Sequence, residues 1–100
     1  MERSEQKKFE LGEVYATPGA LEALLDAGQQ PIELLSRHVA GDWGEVDAED
    51  WQSNDKALQS GARLLSAHRT RKGVVLWIIT EAANRRGIRP RTTLLLPDEY

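Results

Sequence analysis

Arg37, His38 and Asp42 place a guanidinium, an imidazole and a carboxylate within six residues of the chain, beside a turn that contains two glycines. An imidazole there could transfer a proton near neutral pH, with its charged neighbours orienting it or binding an anion. The same residues could form a structural cap instead, because a histidine near a helix end can meet the last carbonyls and Asp42 can accept backbone N–H groups. The structural role is the favoured interpretation, and no catalytic residue is assigned.

Metal and cofactor sites find little support in the residue types of the chain. His38 and Asp42 stand at i, i+4 spacing, which would put two ligands on one helix face, but Gly41 interrupts that helix and a third ligand is lacking. Cysteine is absent, and so are the GxGxxG, phosphate-loop and GxSxG sequences, which removes thiol nucleophiles, nucleotide cofactors and hydrolase triads. The sequence therefore predicts no metal and no cofactor.

Cations crowd into two connections of the C-terminal half, where they could bind phosphate or an acidic protein. They are Arg69, Arg71, Lys72, Arg85, Arg86, Arg89 and Arg91. A solvated surface is the alternative for all of them, and the sequence leaves open whether the two connections project from the same end of a sheet. The three tryptophans could stack on bases, but a chain with so few aromatics needs them in its core.

The formal net charge of −3 hides a strong segregation along the chain. Residues 1–61 carry a net −8, residues 62–91 a net +7, and residues 92–100 two further acids. Folding either preserves this asymmetry as two faces or cancels it by packing one half on the other. If the segment 62–91 stays on one face it could attract an acidic protein or the phosphates of a nucleic acid, whereas the acidic remainder would repel a long polyanion.

A length of 100 residues with 40% apolar side chains describes one small domain, because such a chain buries about 60–65% of the surface that its unfolded form exposes. The apolar runs fall short of the roughly 18 residues of a membrane span, and the polar N-terminus lacks the apolar stretch of a secretory signal. With no cysteine to form disulfides, the cytoplasm is the expected compartment. The oligomeric state is left open.

The elements that must position these residues follow a polar tail over residues 1–8, which we expect to be flexible. Branched and aromatic side chains predict a short strand within residues 9–16. Cap residues, prolines suited to a first helical turn and closing glycines then predict three helices. Their expected ranges are 17–28, about 31–40 and 47–61. The third helix is mostly polar, so it should lie on the outside of the domain.

Alternating and continuous apolar runs predict three strands in the C-terminal half. They fall within 63–70, 74–80 and 91–97, with a hairpin turn over 70–73. We therefore expect a single α+β domain over residues 9–100, in which a short N-terminal strand and three helices pack on one face of a small antiparallel sheet formed mainly by the C-terminal half. The glycines at 41 and 44 should let Trp43 fold back onto the core.

Several stretches of the chain resemble a family of short bacterial proteins carried by plasmids and phages, over nearly the whole length from Leu11 to Tyr100. They are TPGALEAL at 17–24, LSRHVAGDWG at 35–44, WIITE at 77–81 and TTLLLPDEY at 92–100. The family is catalogued as plasmid-related proteins or as "type I restriction endonuclease subunit M". A methyltransferase is nevertheless excluded, because the chain is too short for a methyl-donor fold and has no Asn/Asp-Pro-Pro-Tyr/Phe tetrapeptide.

A more distant likeness concerns the order of helices followed by an antiparallel sheet, together with the run Arg37-His38-x-x-Gly41-Asp42. In these features the chain is similar to barnase-like and RelE-like ribonucleases, which cleave RNA without a metal. The resemblance implies that His38, with Arg37 beside it, would transfer protons and that the loop arginines would clamp the phosphate.

Two functional hypotheses follow from these observations. The first is a non-catalytic accessory protein of mobile genetic elements, in defence or counter-defence, that binds a protein or nucleoprotein partner through the clustered cations. The second is a metal-independent ribonuclease of the barnase or RelE type. The position of His38 distinguishes the two hypotheses, because a ribonuclease needs His38 to be accessible to RNA and close to the loop arginines.

Overall fold

A four-stranded sheet and three helices are built from residues 6–100, the part of the chain that the computed structural model describes. The strands are β1 (Glu13–Ala16), β2 (Leu64–Arg69), β3 (Val75–Thr80) and β4 (Arg91–Leu95). The helices are α1 (Pro18–Ala27), α2 (Pro31–Val39) and α3 (Ala48–Ser60), and a short 3-10 turn, Pro97–Glu99, follows β4. All three predicted helices are present, and α2 ends slightly earlier than expected.

The strands lie in the order β1-β4-β3-β2. β2, β3 and β4 pair antiparallel, whereas β1 pairs parallel to β4, with Glu13 against Arg91 and Ala16 against Leu94. The predicted α+β class, with the N-terminal strand and the helices packed on the sheet, is confirmed. The sheet is mixed rather than wholly antiparallel, because the helices and the β2–β3 hairpin lie between β1 and β4 and form a crossover long enough for parallel pairing.

The helix boundaries follow from local side-chain chemistry. At the start of α1 the Thr17 hydroxyl accepts a backbone N–H of the first turn at 3.1 Å, and at the start of α3 the Asp47 carboxylate does the same at 2.8 Å. Both helices end at glycines in the left-handed backbone region, Gly28 and Gly61, with φ of 68° and 85°. The predicted starts and ends of α1 and α3 are therefore confirmed.

Two apolar clusters fill the space between the helices and one face of the sheet. The larger joins α1 and α2 to the central strands: Ala20, Leu24, Leu34, Leu35, Leu76, Ile78 and Leu94. The smaller lies toward α3 and consists of Trp43, Ala57 and Leu64, with Phe9 and Trp51 packed against them. Trp43 is fully buried, as predicted, and its indole N–H donates to Asp55 at 2.9 Å.

The outer edge of β2 is closed by hydrogen bonds from neighbouring segments. The side-chain amide of Asn54 on α3 pairs with both backbone groups of Leu65, at 2.8 and 3.0 Å. Next to it the Ala67 N–H donates to the Trp43 carbonyl, and the Ala67 carbonyl accepts from the Glu45 N–H, at 3.1 and 2.7 Å. These groups take the place of a further strand, so the outward-facing N–H and C=O groups of Leu65 and Ala67 are already hydrogen-bonded.

The N-terminal segment runs past the end of α2, where the Lys8 N–H donates to the Val39 carbonyl at 2.8 Å. Phe9, the next residue, packs against the smaller apolar cluster. Of the flexible tail expected over residues 1–8, residues 1–5 lie outside the described part of the chain. No helix within residues 6–100 combines the length and the apolarity that crossing a membrane requires.

Replacing Gly44 with alanine should lower the free energy of unfolding by more than about 2 kcal/mol. Gly44 has a φ of 73°, and a Cβ there would overlap the Ala67 carbonyl and approach the His68 ring to 2.7 Å. Gly73→Ala is the matched control, because Gly73 has a φ of 87° but its Cβ would meet nothing within 4 Å. Urea denaturation of both variants measures the difference, and equal losses would contradict the packing argument.

Candidate functional site

The predicted cations are divided between opposite ends of the sheet. β3 runs antiparallel to both β2 and β4, so the β2–β3 turn and the β3–β4 connection project in opposite directions. We name them the hairpin end, residues 69–74, and the connection end, residues 81–91. The hairpin end holds Arg69, Arg71 and Lys72, and the connection end holds Arg85, Arg86, Arg89 and Arg91.

At the hairpin end each of these cations meets an acid from the N-terminal half of the chain. The pairs are Arg69–Glu45, Arg71–Glu33 and Lys72–Asp26, at nitrogen–oxygen distances of 2.9, 3.3 and 4.0 Å. Arg71 also donates to the Gly28 carbonyl at the C-terminus of α1, where the helix dipole favours a cation. Exposed pairs of this kind add little to stability, but together they cancel the charge of the hairpin end.

At the connection end Arg85, Arg86 and Arg91 are exposed, and none has an acidic partner within 4.0 Å among residues 6–100. The turn that carries the first two is held by Asn84, whose Oδ1 accepts the N–H groups of Arg86 and Ile88 at 2.9 and 3.0 Å. The connection end therefore presents an excess of positive charge on a turn of defined shape.

Arg89, unlike the other predicted cations of the connection end, is almost completely buried. It is 7% exposed, and its guanidinium donates to the carbonyls of Ala57, Ala62 and Glu81 at 2.9, 2.7 and 3.1 Å. The guanidinium carbon also lies 5.8 Å from the centroid of the Phe9 ring. Burial lowers the pKa of Arg89 from its ordinary value. Arg89 caps the C-terminal end of α3, where carbonyls are otherwise left without donors.

A cleft of about 570 Å³ opens at the connection end, between the N-terminal segment, the end of α3 and the turn at 83–89. Its charged lining consists of Lys8, Arg85, Arg89 and Glu10, and the Glu10 carboxylate already pairs with Lys7 at 3.2 Å. Its uncharged polar side chains are Gln59, Ser60 and Asn84. Because the Asn84 Oδ1 is engaged by backbone N–H groups, the side-chain Nδ2 is left to donate. The cleft is rich in donors and poor in negative charge, which suits an anion.

Lys8 and Asn84 belong to this cleft but were not among the predicted binding residues. Lys8 fell within the expected polar tail, although its backbone is fixed to α2. Asn84 and Gly87 bracket a tight turn. An asparagine side chain often accepts the backbone N–H two residues further along, as Asn84 does from Arg86, so the asparagine is a local sequence signal for this turn.

His38 lies at the centre of a buried hydrogen-bond chain that crosses the sheet. Its Nδ1 is 2.6 Å from the Ser66 hydroxyl on β2, and its Nε2 is 2.8 Å from the Thr80 hydroxyl on β3. The Thr80 hydroxyl is in turn 2.7 Å from that of Thr92 on β4, which donates to the Leu11 carbonyl at 2.7 Å. All four side chains are fully buried.

The direction of every proton in this chain follows from its last member. A carbonyl can only accept, so Thr92 donates to Leu11 and must accept from Thr80. Thr80 has then given its proton and accepts from Nε2 of His38. In a neutral His38 the proton therefore lies on Nε2, and Nδ1 accepts from Ser66.

The surroundings of His38 keep it in that form. Burial, with the charges of His68 and Arg89 adding to it, lowers the pKa of His38 from 6.5 to about 3. A buried, neutral imidazole whose nitrogens are both engaged has no free position from which to take a proton from a substrate. The proton-transfer role that the ribonuclease resemblance implied for His38 has no support in this geometry.

The structure separates His38 from Arg37 and Asp42, which form an ion pair at 2.9 Å on the surface. Asp42 also accepts the Gly44 N–H at 3.0 Å, in agreement with its structural interpretation. The helix-end cap expected of His38 is wrong, because its ring points into the core. The i, i+4 metal pair does not form either, and residues 6–100 contain no group of three His, Cys, Asp or Glu side chains placed to hold a metal ion.

His68 lies on the same face of β2 as Ser66 and is just as deeply buried. Neither of its ring nitrogens has a hydrogen-bond partner in the described part of the chain. Burial, assisted by the charge of Arg37, lowers the pKa of His68. Polar residues at alternate positions of an otherwise apolar strand are the one signal that could have located Ser66 and His68 inside the domain.

Comparisons with known protein families, with curated proteins and with solved structures find no match for this chain.

His38 should remain neutral, with its proton on Nε2, when the pH is lowered to about 5. The unfolded histidine titrates near 6.5 and the native one near 3, so below 6.5 the unfolded chain binds a proton that the native chain does not. This group therefore makes no pH-dependent contribution above 6.5 and lowers the free energy of unfolding as the pH falls from 6.5 toward 3. The nitrogen chemical shifts of the imidazole, measured by NMR across this pH range, report both the tautomer and the pKa. A native His38 that titrates near 6.5 would contradict the lowered pKa.

Proposed function

We propose that the chain is a non-catalytic accessory protein of mobile genetic elements, which binds a protein or nucleoprotein partner through its connection end. The observation that carries this proposal is that the two cation clusters differ in whether acidic side chains pair with them. Acids of the chain itself neutralise the hairpin end, whereas Arg85, Arg86 and Arg91 have no acidic partner among residues 6–100. A partner that brings anionic groups to the connection end would gain charge-assisted hydrogen bonds that the chain leaves unmade.

The lining and the volume of the cleft at the connection end also support the binding of an anionic group. Lys8 and Arg85 supply cationic donors, and Gln59 and Asn84 supply neutral ones, around a volume of about 570 Å³. Ligand sites commonly fall in this range of volume, which accommodates one compact group rather than a long strand. An acidic segment of a protein, or a phosphate exposed on a nucleoprotein, has the size and the charge to occupy it.

The remaining charge of the chain favours a local contact over the coating of a long polyanion. The net charge is −3, and residues 1–61 carry a net −8. Nucleic-acid binding that depends on many phosphates needs a broad basic surface, and here the hairpin end cannot contribute to one because its cations are paired. A nucleoprotein or acidic protein that presents few anionic groups avoids this repulsion.

The mobile-element setting rests on the resemblance of residues 17–24, 35–44, 77–81 and 92–100 to plasmid- and phage-borne proteins. The proposal does not include the methyltransferase that the label of those proteins suggests, because these 100 residues contain no Asn/Asp-Pro-Pro-Tyr/Phe tetrapeptide. A binding role in defence or counter-defence agrees with a small domain whose two histidines are both buried.

Binding of anionic probes should depend on the connection end and not on the hairpin end. The variants Arg85→Gln/Arg86→Gln and Arg71→Gln/Lys72→Gln change the net charge equally, so a general charge effect would weaken both alike. Against a single-stranded RNA of about 12 nucleotides and an acidic peptide of about the same length, the first pair should lower affinity about tenfold or more. For the RNA, the substitutions at Arg85 and Arg86 should also reduce the slope of log binding constant against log salt concentration by about 1–2. The substitutions at Arg71 and Lys72 should leave the affinity and this slope nearly unchanged.

Fluorescence anisotropy at several salt concentrations measures these affinities. The probe that binds more tightly distinguishes a protein partner from a nucleoprotein. Equal weakening by the two pairs of substitutions, or no binding of either probe by the wild type, would count against the proposal.

The ribonuclease hypothesis calls for a separate measurement. Labelled RNA incubated with the wild type in EDTA should stay intact, because His38 is buried and neutral. Cleavage by the wild type that His38→Ala abolishes, in a variant whose circular dichroism shows it to be folded, would replace the binding proposal with an enzymatic one.

A further inference from the structure

Residues 6–100 leave one of the two sheet edges open. The edge of β2 is closed by Asn54 and by residues 43–45, whereas no group among residues 6–100 forms a hydrogen bond to the outer edge of β1. β1 also exposes large side chains, because Val14 is 45% and Tyr15 49% exposed. A strand with free backbone groups and exposed apolar side chains is a template for pairing with another strand.

The pairing of β1 with β4 shows which of its backbone groups are free. Glu13 and Thr17 both donate their N–H groups to carbonyls on the β4 side, at 3.0 Å. Backbone groups alternate in direction along a strand, so the odd-numbered residues of β1 face β4 while Val14 and Ala16 face outward. β1 thus offers the N–H and the C=O of Val14 and of Ala16 to a partner.

We infer that β1 pairs antiparallel with β1 of a second copy of this chain, in a register centred on Tyr15. Val14 then lies opposite Ala16 of the second copy, and the outward backbone groups of both chains are all used, which makes four hydrogen bonds across the junction. A register displaced by one residue in either direction would set the outward groups against residues whose own groups already face β4.

The side chains of β1 suit this register. Tyr15 meets Tyr15 of the second copy at a pair without hydrogen bonds, where facing side chains come closest and aromatic rings attract one another. Glu13, the charged residue of the strand, lies opposite Thr17 of the second copy and not opposite another carboxylate. The strand is therefore complementary to itself, which identifies the second copy as the occupant of the edge.

Pairing through β1 also removes the last open edge. The joined sheet has eight strands and ends in β2 on both sides, where the edge is closed already, so the assembly stops at two copies. Because the two β1 strands run antiparallel, the connection ends of the two copies point in opposite directions. This dimer does not depend on the proposed anion binding, although it would let one assembly hold two partners.

Cysteine trapping tests the register, because the chain contains no cysteine of its own. In an antiparallel pair without hydrogen bonds the Cα atoms lie about 4.5 Å apart, within the span of a disulfide. Tyr15→Cys should therefore form a disulfide-linked dimer under mild oxidation about tenfold faster or more than Glu13→Cys, whose thiols would stand roughly 13 Å apart in the same dimer. Equal rates for the two variants would overturn the inference.

A second pair of variants tests the dimer without a covalent bond. Val14→Pro removes an outward N–H and keeps the bonds to β4, and Val14→Thr keeps the N–H and the strand preference. The interface is small, so sedimentation equilibrium is run up to roughly 1 mM, where the mass of the wild type and of Val14→Thr should rise toward a dimer and that of Val14→Pro should not.

Thermal melting by circular dichroism shows whether Val14→Pro is folded, and if it is not, the ratio of cross-linking rates decides. A wild type that stays monomeric to roughly 1 mM, as it would if the edge pairs with another protein instead, would refute the dimer. Dimerisation unaffected by Val14→Pro in a folded variant would refute the assignment to β1.

Discussion

Four fully buried polar side chains, those of His38, Ser66, Thr80 and Thr92, form a hydrogen-bond chain through the core of the domain. It joins α2 to β2, β3 and β4, and its protons have a single consistent direction that ends at the Leu11 carbonyl. Apolar side chains alone would let α2 shift over the sheet at modest cost, whereas each of these hydroxyls, once deprived of its partner, would leave a buried polar group unsatisfied at about 1–3 kcal/mol. The chain of bonds therefore selects one placement of the helix on the sheet.

The same constraint positions the connection end. The bond from Thr92 to Leu11 holds the N-terminal segment against the sheet, and Phe9 of that segment packs edge-on against His38 at a centroid distance of 5.3 Å. The guanidinium carbon of Arg89 lies over the Phe9 ring, and the same guanidinium ties the end of α3 to the β3–β4 connection. Lys8, adjacent to Phe9, consequently lines the cleft. The geometry of the candidate site is thus fixed from the core outward.

What could be predicted from the sequence is what local interactions decide. Thr17, Asp47 and Gly61 mark helix ends because each acts on backbone groups within one turn. The partners of His38 lie 28 and 42 residues away, so its role depends on how the elements pack and not on its neighbours Arg37 and Asp42. For the same reason the parallel pairing of β1 and the burial of Arg89 escaped prediction, since an arginine in a charged loop has no local feature that distinguishes a buried cap from a surface cation.

Folding brings acids of the N-terminal half against cations of the C-terminal half at one end of the sheet, the hairpin end. Acids brought by α1, by α2 and by the segment before α3 neutralise the hairpin end, which is possible because those segments pass beside the β2–β3 turn. No acid of residues 6–100 pairs with Arg85 or Arg86, so the chain keeps their mutual repulsion. The sheet edges follow the same pattern, because residues 6–100 close the edge of β2 and leave that of β1 open. Unpaired cations and an open strand edge each raise the free energy of the isolated chain relative to a complex in which they are covered, and that difference is what an anionic partner and a second strand would gain on binding.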